Sequence, residues 1–294
     1  MNILVESKVT FPSPYGPNFS LQAHNRMAHL FGTTLSTPEN YEPVRHTSEI
    51  IPKIIEHGGS GVMPMETSAE GHMTTHLVPF MHLLSLYPET ARCPVQVAGA
   101  IRMKLSYVLM GRKYPGELEK IKRVLAPKVA ITACAKRLAK KNWSCDIAPS
   151  SGEAARLVRD DGRYLGYAAL GPQTAADFYG LKVLEEGFED EEYFRTFYLL
   201  TPRVRPVIAG PVNRALLVYT MPFEPGRVHE AQEPFKAFRW SHVNNVWFGQ
   251  KGMYYVLEVI VPVDELPIFD RALAVFAERV DRHILFGPFP VLAG

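Results

Sequence analysis

The sequence predicts an α/β protein that carries a second, smaller α+β domain at its carboxyl end. Over the first 200 residues, short apolar runs alternate with segments of helical periodicity, which is typical of layered α/β folds. A proline-rich stretch, TPRVRPVIAGP (201–211), interrupts this pattern, and the chain beyond it has the order β-α-β-β-α-β. At about 100–200 residues per domain the chain is long enough for two domains, which we place at 1–203 and 212–294.

Apolar runs bounded by turn residues predict the strands of the first domain. They are NILVES (2–7), GVMPM (61–65), the strand-rich VQVAGAIRMKLSYVLM (95–110), YLGYAALGP (164–172) and RTFYLLTP (195–202). Helices are indicated by apolar residues at every third or fourth position, with glycine or a capping serine at their ends. They are FSLQAHNRMAHLFG (19–32), SEIIPKIIEHGG (48–59), PKVAITACAKRLAKKNW (127–143), SSGEAARLVRDD (150–161) and QTAADFYG (173–180).

The second domain is predicted from six segments after the proline-rich stretch. In chain order these are the strand NRALLVYTM (213–221), a helix around GRVHEAQEPFKAF (226–238), the strands SHVNNVWF (241–248) and MYYVLEVIV (253–261), the helix ELPIFDRALAVFAERV (265–280) and the strand HILFGPFP (283–290). This order is that of a ferredoxin-like α+β sandwich, a common form of small regulatory module.

Composition and charge exclude several classes of partner. With 32 basic and 30 acidic residues the net charge is +2, so neither nucleic acid nor a membrane surface is expected to bind. Cys93, Cys134 and Cys145 form no CxxC pair, which fits reduced thiols in a cytoplasmic protein. No apolar stretch reaches the roughly 18 residues of a membrane span.

The turn in GVMPMETSAEGHMTTHL (61–77) gathers polar groups at the end of a predicted strand. His72 and His76, with Glu70 nearby, have helical spacing, but the glutamate is not between the histidines as it is in zinc metalloproteases. A helix surface or cap is the simpler interpretation of these histidines. The sequence has no nucleophile elbow, P-loop or dinucleotide-binding glycine motif, so we predict neither a metal nor a cofactor.

Five segments carry motifs in an order and spacing that chance does not explain. They are YGPNFSLQAHNRMA (15–28), GVMPMETSAEGHM (61–73), SSGEAARLV (150–158), YAALGPQTAADFYGLKVLEEGFED (167–190) and FRTFYLL (194–200). In this order they resemble GPxGTFSxxAA, GVVPIENSxEGxV, STAxAA, the AAIAS and YGLxVL segments, and NxTRFxVL of the prephenate dehydratase family. With the ferredoxin-like segment, the resemblance to this family and its C-terminal ACT domain covers nearly the whole chain.

The resemblance implies a two-lobed, periplasmic-binding-protein-like α/β domain followed by an ACT-like domain. Its substrate would be prephenate or a related cyclohexadiene diacid, bound in the cleft between the lobes without a cofactor. A helix that begins near Ser150 and Ser151 would offer free N–H groups and hydroxyls to a carboxylate; without the resemblance, these serines could equally be ordinary helix caps. The implied substrate-binding residues are Asn18, Ser20, Thr67, Ser68, Ser150, Ser151, Gln173 and Phe197, and the implied catalytic residues are Glu66, Arg195 and Thr196.

One departure from the family bears on the reaction. Where the family has Thr-Arg-Phe, with a threonine thought to assist loss of the C4 hydroxyl, this chain has Arg195-Thr196-Phe197. Neighbouring residues of a strand point to opposite faces, so the exchange should put the guanidinium in the cleft and take the hydroxyl out. We therefore predict a prephenate decarboxylase that keeps the ring hydroxyl, as in relatives that make specialised metabolites. A bulge that returned Thr196 to the cleft would leave a dehydratase instead.

Other departures concern the donor groups and the effector site. LAPKVAIT (125–132) lacks the serine–histidine pair of the family's SHPQ segment, and Ala100 stands where the family has an acid, which leaves Glu66 as the acid in a matching motif. In the ACT-like part, Gly226 is kept from the GAL turn but the ESRP segment is absent, and Arg227 would crowd a small effector. We expect this part to join subunits into a homodimer or higher homo-oligomer rather than to sense phenylalanine.

Two other classes of function stay open at this point. Binding-protein-like lobes joined to an ACT-like domain could serve a non-catalytic protein that senses amino acids or keto acids. A metal-dependent hydrolase would use His72 and His76 as ligands, with a third ligand from elsewhere in the chain.

Overall fold

The computed structural model describes residues 9–12, 17–31, 41–87, 89–112, 121–203, 212–224, 226–247 and 253–293. Its strands are β1 (Val9–Pro12), β2 (Tyr41–Val44), β3 (Ser60–Thr67), β4 (Gly71–His72), β5 (Val95–Leu105), β6 (Val108–Gly111), β7 (Arg123–Ala126), β8 (Ser144–Ile147), β9 (Tyr167–Gly171), β10 (Lys182–Glu185), β11 (Tyr193–Pro202), β12 (Val212–Thr220), β13 (Arg239–Trp247), β14 (Met253–Pro262) and β15 (Arg282–Ala293). Its α-helices are α1 (Phe19–Phe31), α2 (Ile50–His57), α3 (Thr74–Leu86), α4 (Lys128–Ala133), α5 (Ala135–Lys141), α6 (Ser151–Asp160), α7 (Gln173–Tyr179), α8 (Arg227–Gln232) and α9 (Leu266–Ala277). Single 3-10 turns lie at Thr47–Glu49, Thr90–Arg92, Gly162–Tyr164, Glu233–Phe235 and Val263–Glu265.

The first lobe is a mixed sheet with strands in the order β5-β11-β3-β1-β2, and β4 pairs with the free end of β3. Helix α1 packs on one face of this sheet and helices α2 and α3 on the other, so the buried strand residues alternate between two apolar cores. The sequence predicted strand NILVES (2–7), which lies outside the described residues, whereas β1 begins at Val9.

The second lobe is a smaller mixed sheet with strands in the order β10-β6-β9-β7-β8. The segment 95–110, predicted as one strand-rich run, contributes β5 to the first lobe and β6 to the second, because the chain crosses between the lobes at Ser106 and Tyr107. It returns between β10 and β11. The helix predicted over 127–143 is likewise divided into α4 and α5 at Cys134, whose φ of −117° and ψ of 14° are not helical.

The carboxyl-terminal unit has the order β12-α8-β13-β14-α9-β15, with an antiparallel sheet arranged β13-β14-β12-β15. This is the topology of a ferredoxin-like sandwich. Helices α8 and α9 cover one face of the sheet around a core that includes Phe235, Phe269 and Phe276. The opposite face packs against α3 of the first lobe through Phe80 and Phe286, whose ring centroids are 5.0 Å apart.

Strand β15 belongs to both the carboxyl-terminal unit and the first lobe. Its first part pairs with β12, and Val291–Ala293 pair in parallel with β5, so the two sheets form one ten-stranded sheet. Gly287 lies between the two parts with φ of +103°, and a Cβ there would stand 2.6 Å from the carbonyl oxygen of Arg214. Only glycine fits that close approach. Of the proline-rich stretch, residues 204–211 lie outside the described residues.

None of the helices in the described parts of the chain is long and apolar enough to cross a membrane.

Candidate functional site

An open cavity of about 610 Å³ lies between the two lobes. The first lobe lines it with the start of α1, the 3-10 turn after β2, and parts of β3, α3 and β11, and the second lobe lines it with the starts of α4 and α6. The walls from the second lobe follow the carboxyl ends of the parallel strands β7 and β8. This edge of an α/β sheet is where ligands commonly bind.

A second cavity, of about 720 Å³, lies between α3 and the carboxyl-terminal unit. Its polar groups are largely paired or balanced: Ser85 Oγ and Tyr254 Oη are 2.7 Å apart, and Asp281 and Arg282 bring one charge of each sign. It lies away from the motifs at 15–28, 61–73 and 150–158. The cleft between the lobes is therefore the candidate site, although it is the smaller cavity.

The cleft is strongly cationic. Arg45, Lys128 and Arg195 line it, and no aspartate or glutamate is among its described lining residues. Three positive charges on a concave surface whose described lining residues include no carboxylate attract an anion and raise its local concentration. The arrangement suits a small ligand with two negative charges.

Arg195 is the most buried of these cations, with 8% of its surface exposed. Its guanidinium lies 5.9 Å from the ring centroid of Tyr193, and its Nη2 is 3.5 Å from the Tyr193 hydroxyl. Its buried Nε has no hydrogen-bond partner among the described residues. A buried guanidinium with an unused donor is costly unless an anion joins it, so Arg195 is the best-placed group to bind a carboxylate.

Thr196 points to the opposite face of β11, away from the cleft. Its Oγ1 donates a hydrogen bond to Glu66 Oε2 at 3.0 Å, and its surface is 1% exposed. The pairing of β11 with β5 runs without interruption from Tyr193 to Leu199, so no bulge on that side returns Thr196 to the cleft. Arg195 therefore lies in the cleft wall, and the position of Thr196, which the resemblance implied as a catalytic residue, is corrected to the opposite face of the strand.

Glu66, expected as a wall of the cleft, lies elsewhere, and a bulge is the reason. In the pairing of β11 with β3, Phe197 is opposite Pro64 while Thr196 is opposite Glu66, so Met65 is an extra residue on β3. One extra residue reverses the alternation of faces, and the Glu66 carboxylate consequently turns to the face of Thr196. The expectation that Glu66 lines the cleft is therefore wrong, and this residue lies at the junction with the carboxyl-terminal unit.

At that junction Glu66 belongs to a half-buried ionic network. Arg214 Nη1 from β12 donates to Glu66 Oε2 at 3.0 Å and to Glu258 Oε2 at 3.3 Å, and the Tyr198 hydroxyl donates to the same Glu258 oxygen at 3.0 Å. Burial alone would raise the pKa of Glu66, but the Arg214 guanidinium outweighs burial and holds that pKa below its ordinary value. The network joins the carboxyl-terminal sheet to β3, the strand that leads into the turn at residues 68–70.

Four other residues expected at the substrate have different partners: two stabilise the local backbone, one bonds within its own helix and one packs in the core. Thr67 Oγ1 accepts from the Glu70 amide at 3.0 Å, and Ser68 Oγ accepts from the Phe194 amide at 3.0 Å, so both hydroxyls stabilise the turn. The exposed Gln173 donates to Asp177 at 2.8 Å on its own helix, and Phe197 is fully buried in the core of the first lobe. None of these four residues is among the described residues that line the cleft, so their expected contact with the substrate is corrected.

The structure brings the remaining expected residues together in the cleft. Asn18, Ser20, Ser150 and Ser151 all line it. Asn18 Oδ1 accepts from the Leu21 amide at 2.9 Å, and Ser150 Oγ accepts from the Glu153 amide at 3.1 Å, so these two residues cap α1 and α6. Ser20 lies two residues after Asn18 and Ser151 one residue after Ser150, and both serines line the cleft. Two helix N-termini therefore face each other across the cleft.

Sequence reasoning missed Arg45, His46, His76 and Lys128 as cleft residues. Arg45 and Lys128 each follow or lie next to the carboxyl end of a strand, which is a signal that could have identified them. His76 was considered as a metal ligand or, more simply, as part of a helix surface or cap, and no group of three or more potential metal ligands clusters anywhere in the described residues. Those residues thus give no support to the metal-dependent hydrolase.

Gly171 at the end of β9 leaves room for the cleft helix α6. A Cβ at this position would stand 2.9 Å from Ser151 Cβ and 3.2 Å from Met110 Cε, closer than atoms pack. We expect Gly171→Ala to displace Ser151, to lower the free energy of unfolding by about 1–3 kcal/mol and to weaken anion binding in the cleft. Urea denaturation and calorimetric titration with malonate measure the two effects.

The matched control for this prediction is Gly162→Ala. No other atom lies within 4 Å of a Cβ built at Gly162, so this variant should unfold and bind malonate like the parent chain. Equal behaviour of the two variants would contradict the close packing of Gly171 on Ser151.

Comparison with known proteins identifies relatives of the chain. The sequence profile of the family described as prephenate dehydratase matches residues 16–204. A curated prephenate dehydratase from Methanocaldococcus jannaschii is 26% identical over 147 residues, which is 50% of this chain and 48% of that protein. The chain thus matches about half the length of this relative.

Solved structures share the fold over almost the entire chain. A prephenate dehydratase from Arthrobacter aurescens, solved in complex with L-Phe, superposes with a TM-score of 0.78 at 18% identity, covering 95% of this chain and 88% of that one. A quorum-quenching acylase named GqqA superposes with a TM-score of 0.73, also at 18% identity, covering 97% of this chain and 98% of that one. Similarity at this level of identity establishes the fold alone, and proteins named for different activities share it.

Proposed function

We propose that the chain, which belongs to the prephenate dehydratase family, is a lyase that binds prephenate in the cleft between its two lobes and removes the ring carboxylate as CO2. The observation that carries this proposal is the Arg195 guanidinium, buried in the cleft wall with an unused Nε donor. A carboxylate is the ligand that this group is best suited to bind.

The rest of the cleft suits the other features of prephenate, a dianion with a ring carboxylate, a pyruvyl carboxylate and a C4 hydroxyl. Lys128 and Arg45 supply two further positive charges, and Ser151 stands at the N-terminus of the ten-residue helix α6. Two carboxylates can thus be bound at separate points, one by Arg195 and one at the second-lobe wall. Binding across the cleft would hold the two lobes together around the substrate.

The first candidate outcome is dehydration. Loss of CO2 delivers an electron pair to the ring, and expulsion of the C4 hydroxyl as water then gives aromatic phenylpyruvate. The family to which the chain belongs and a relative that matches it are both named for this reaction, which favours it. In this outcome the chain would serve phenylalanine biosynthesis.

The second candidate outcome keeps the hydroxyl and is favoured by one observation. The Thr196 hydroxyl, expected from the family motif to assist departure of the C4 hydroxyl, donates to Glu66 on the far face of β11. Without that assistance the electron pair would instead take a proton on ring carbon, giving a non-aromatic dihydro-4-hydroxyphenylpyruvate.

The deciding experiment incubates the purified chain with prephenate and follows the mixture by proton NMR together with CO2 release. We expect prephenate to disappear with one CO2 per molecule and aromatic phenylpyruvate signals to appear. Olefinic ring signals that persist after CO2 release would establish the second outcome. If prephenate remained unchanged, both reaction outcomes would be contradicted, and the interpretation as a non-catalytic binding protein would be favoured.

We further propose that residues 1–203 form the catalytic domain and residues 212–294 an ACT-like domain that joins subunits. The ferredoxin-like order of β12 to β15 supports the second assignment. At the turn that corresponds to the family's effector site, Arg227 Nη1 pairs with Glu224 at 3.2 Å, and Gly226 has φ of +84°. The side chains of residues 241–247, expected opposite this turn, lie outside the described residues.

A further inference from the structure

Both candidate reactions consume one proton. When the bond between the ring and its carboxylate breaks, CO2 leaves and its bonding electron pair stays with the ring. If the pair expels the C4 hydroxyl as its C–O bond breaks, the oxygen needs a proton to leave as water. If the hydroxyl stays, a ring carbon takes the proton. In either case prephenate must meet a proton donor in the cleft.

Few groups in the cleft can serve as that donor. Its described lining holds no aspartate, glutamate or cysteine, and its serines and threonines are far too weakly acidic to donate unaided. Lysine and arginine side chains are in general too weakly acidic to give up a proton near neutral pH. His46 and His76 are the histidines among the described lining residues, and histidine is the residue type that commonly exchanges protons in enzyme sites.

Of the two histidines, His76 is held in a defined orientation. Its Nδ1 lies 2.5 Å from the carbonyl oxygen of Pro64 on β3. A carbonyl oxygen only accepts, so Nδ1 carries a hydrogen and Nε2 is the nitrogen left to exchange protons. His46 instead lies exposed at the cleft mouth, where its side chain meets bulk water.

We propose that His76 is the proton donor of the cleft, delivering the proton from Nε2 to the substrate as CO2 departs. This inference rests on the proposed function and adds to it a catalytic residue. In the dehydration the Nε2–H bond breaks as the proton joins the departing C4 oxygen. In the second outcome the same proton joins ring carbon. The neutral imidazole, still donating from Nδ1 to Pro64, then takes up a proton from solvent.

The charges around His76 should make its protonation depend on the bound substrate. Burial lowers the pKa of His76, the Pro64 carbonyl opposes that shift, and the Arg195 guanidinium lowers the pKa further. Lys128 and Arg45 add positive charge from the other walls, with no carboxylate in the described lining to offset them. A bound dianion neutralises these cations, so binding should draw a proton onto His76.

The test compares His76→Asn and His76→Gln with the parent chain and with His82→Asn, which changes an exposed histidine on the same helix. His76→Asn keeps a donor for the Pro64 carbonyl but cannot deliver a proton. We expect kcat for CO2 release to fall about 10²–10⁴-fold in both His76 variants while KM changes only a few-fold. The His82 variant should match the parent chain.

The pH dependence of kcat in the parent chain provides a second readout. Because the donor must be protonated, kcat of the parent chain should fall as pH rises through the pKa of His76 in the complex, and this limb should vanish in His76→Gln. Full activity of the His76 variants, or a flat kcat from pH 5 to 9, would overturn the role of His76 without contradicting the proposed lyase activity. A parent chain inactive on prephenate would overturn both.

Discussion

Replacing Arg195 with alanine is expected to weaken prephenate capture by about 2–5 kcal/mol, which is roughly 30-fold to several thousand-fold in Kd. The guanidinium is buried in the cleft wall, so a carboxylate bound there would be shielded from water and would lose its charge partner. Isothermal titration with prephenate, or KM where binding is in rapid equilibrium, measures the loss. The Kd of Arg195→Lys for prephenate should lie between those of the parent chain and Arg195→Ala, because lysine keeps the charge but not the planar set of donors.

Folding should be little affected by the same change. Among the described residues, the Arg195 guanidinium makes one long hydrogen bond of 3.5 Å to Tyr193 and lies 5.9 Å from the ring centroids of Tyr193 and Phe197, while its Nε has no partner. Removing a buried charge that lacks a counterion should therefore change the free energy of unfolding by less than about 1 kcal/mol.

The matched control is Arg102→Ala. Arg102 pairs in register with Thr196, so it projects from the face of the sheet opposite the cleft, and it is exposed over the ring of Phe194 at 4.3 Å. Its removal should leave prephenate binding unchanged. If Arg195→Ala bound prephenate as tightly as Arg102→Ala, the assignment of Arg195 as the carboxylate-binding group would be wrong.

Replacing Arg214 with methionine is expected to lower the free energy of unfolding by about 3–5 kcal/mol. Arg214 is the cation between two carboxylates, Glu66 and Glu258, whose side chains are 29% and 8% exposed. Without it, both carboxylates and the Tyr198 hydroxyl remain crowded in a poorly hydrated junction. Urea denaturation monitored by circular dichroism measures the effect.

Two further variants test the origin of this loss. Adding Glu258→Gln to Arg214→Met should restore part of the stability, since it removes the more buried unpaired charge. Arg227→Met breaks an exposed pair with Glu224 and should cost less than about 1 kcal/mol. Equal losses in Arg214→Met and Arg227→Met would mean that the junction network contributes no more than a surface ion pair.

The difference between the parent chain and Arg214→Met should also depend on pH. In the parent chain the pKa of Glu66 is held below its ordinary value, so its stabilisation is present above the pKa of the unfolded chain. It is lost as pH falls through the lower, folded-state pKa. The two unfolding free energies should therefore converge as pH falls below about 4, where Glu66 becomes protonated.

The sequence alone determined the layered elements of the protein and several residues of the cleft. Apolar periodicity and capping residues located α1, α2, α6, α7 and the ferredoxin-like order, because these signals are local. The caps Asn18 and Ser150, with Ser20 and Ser151 beside them, fell in the cleft because they stand at helix N-termini that follow strand ends. Strict alternation along β11 likewise put Arg195 on the cleft face and Thr196 on the other.

The tertiary structure decided which other side chains line the cleft. One extra residue at Met65 turned Glu66 from the cleft to Arg214, a reversal that depends on pairing with a strand 130 residues away and leaves no local signal. Lys128 meets Arg195 across the cleft because two crossings between the sheets bring the lobes face to face, whereas His76 reaches the cleft from a helix of the same lobe as Arg195. Periodicity fixes the face that a side chain occupies within its own element, whereas long-range pairing and packing decide what that face meets.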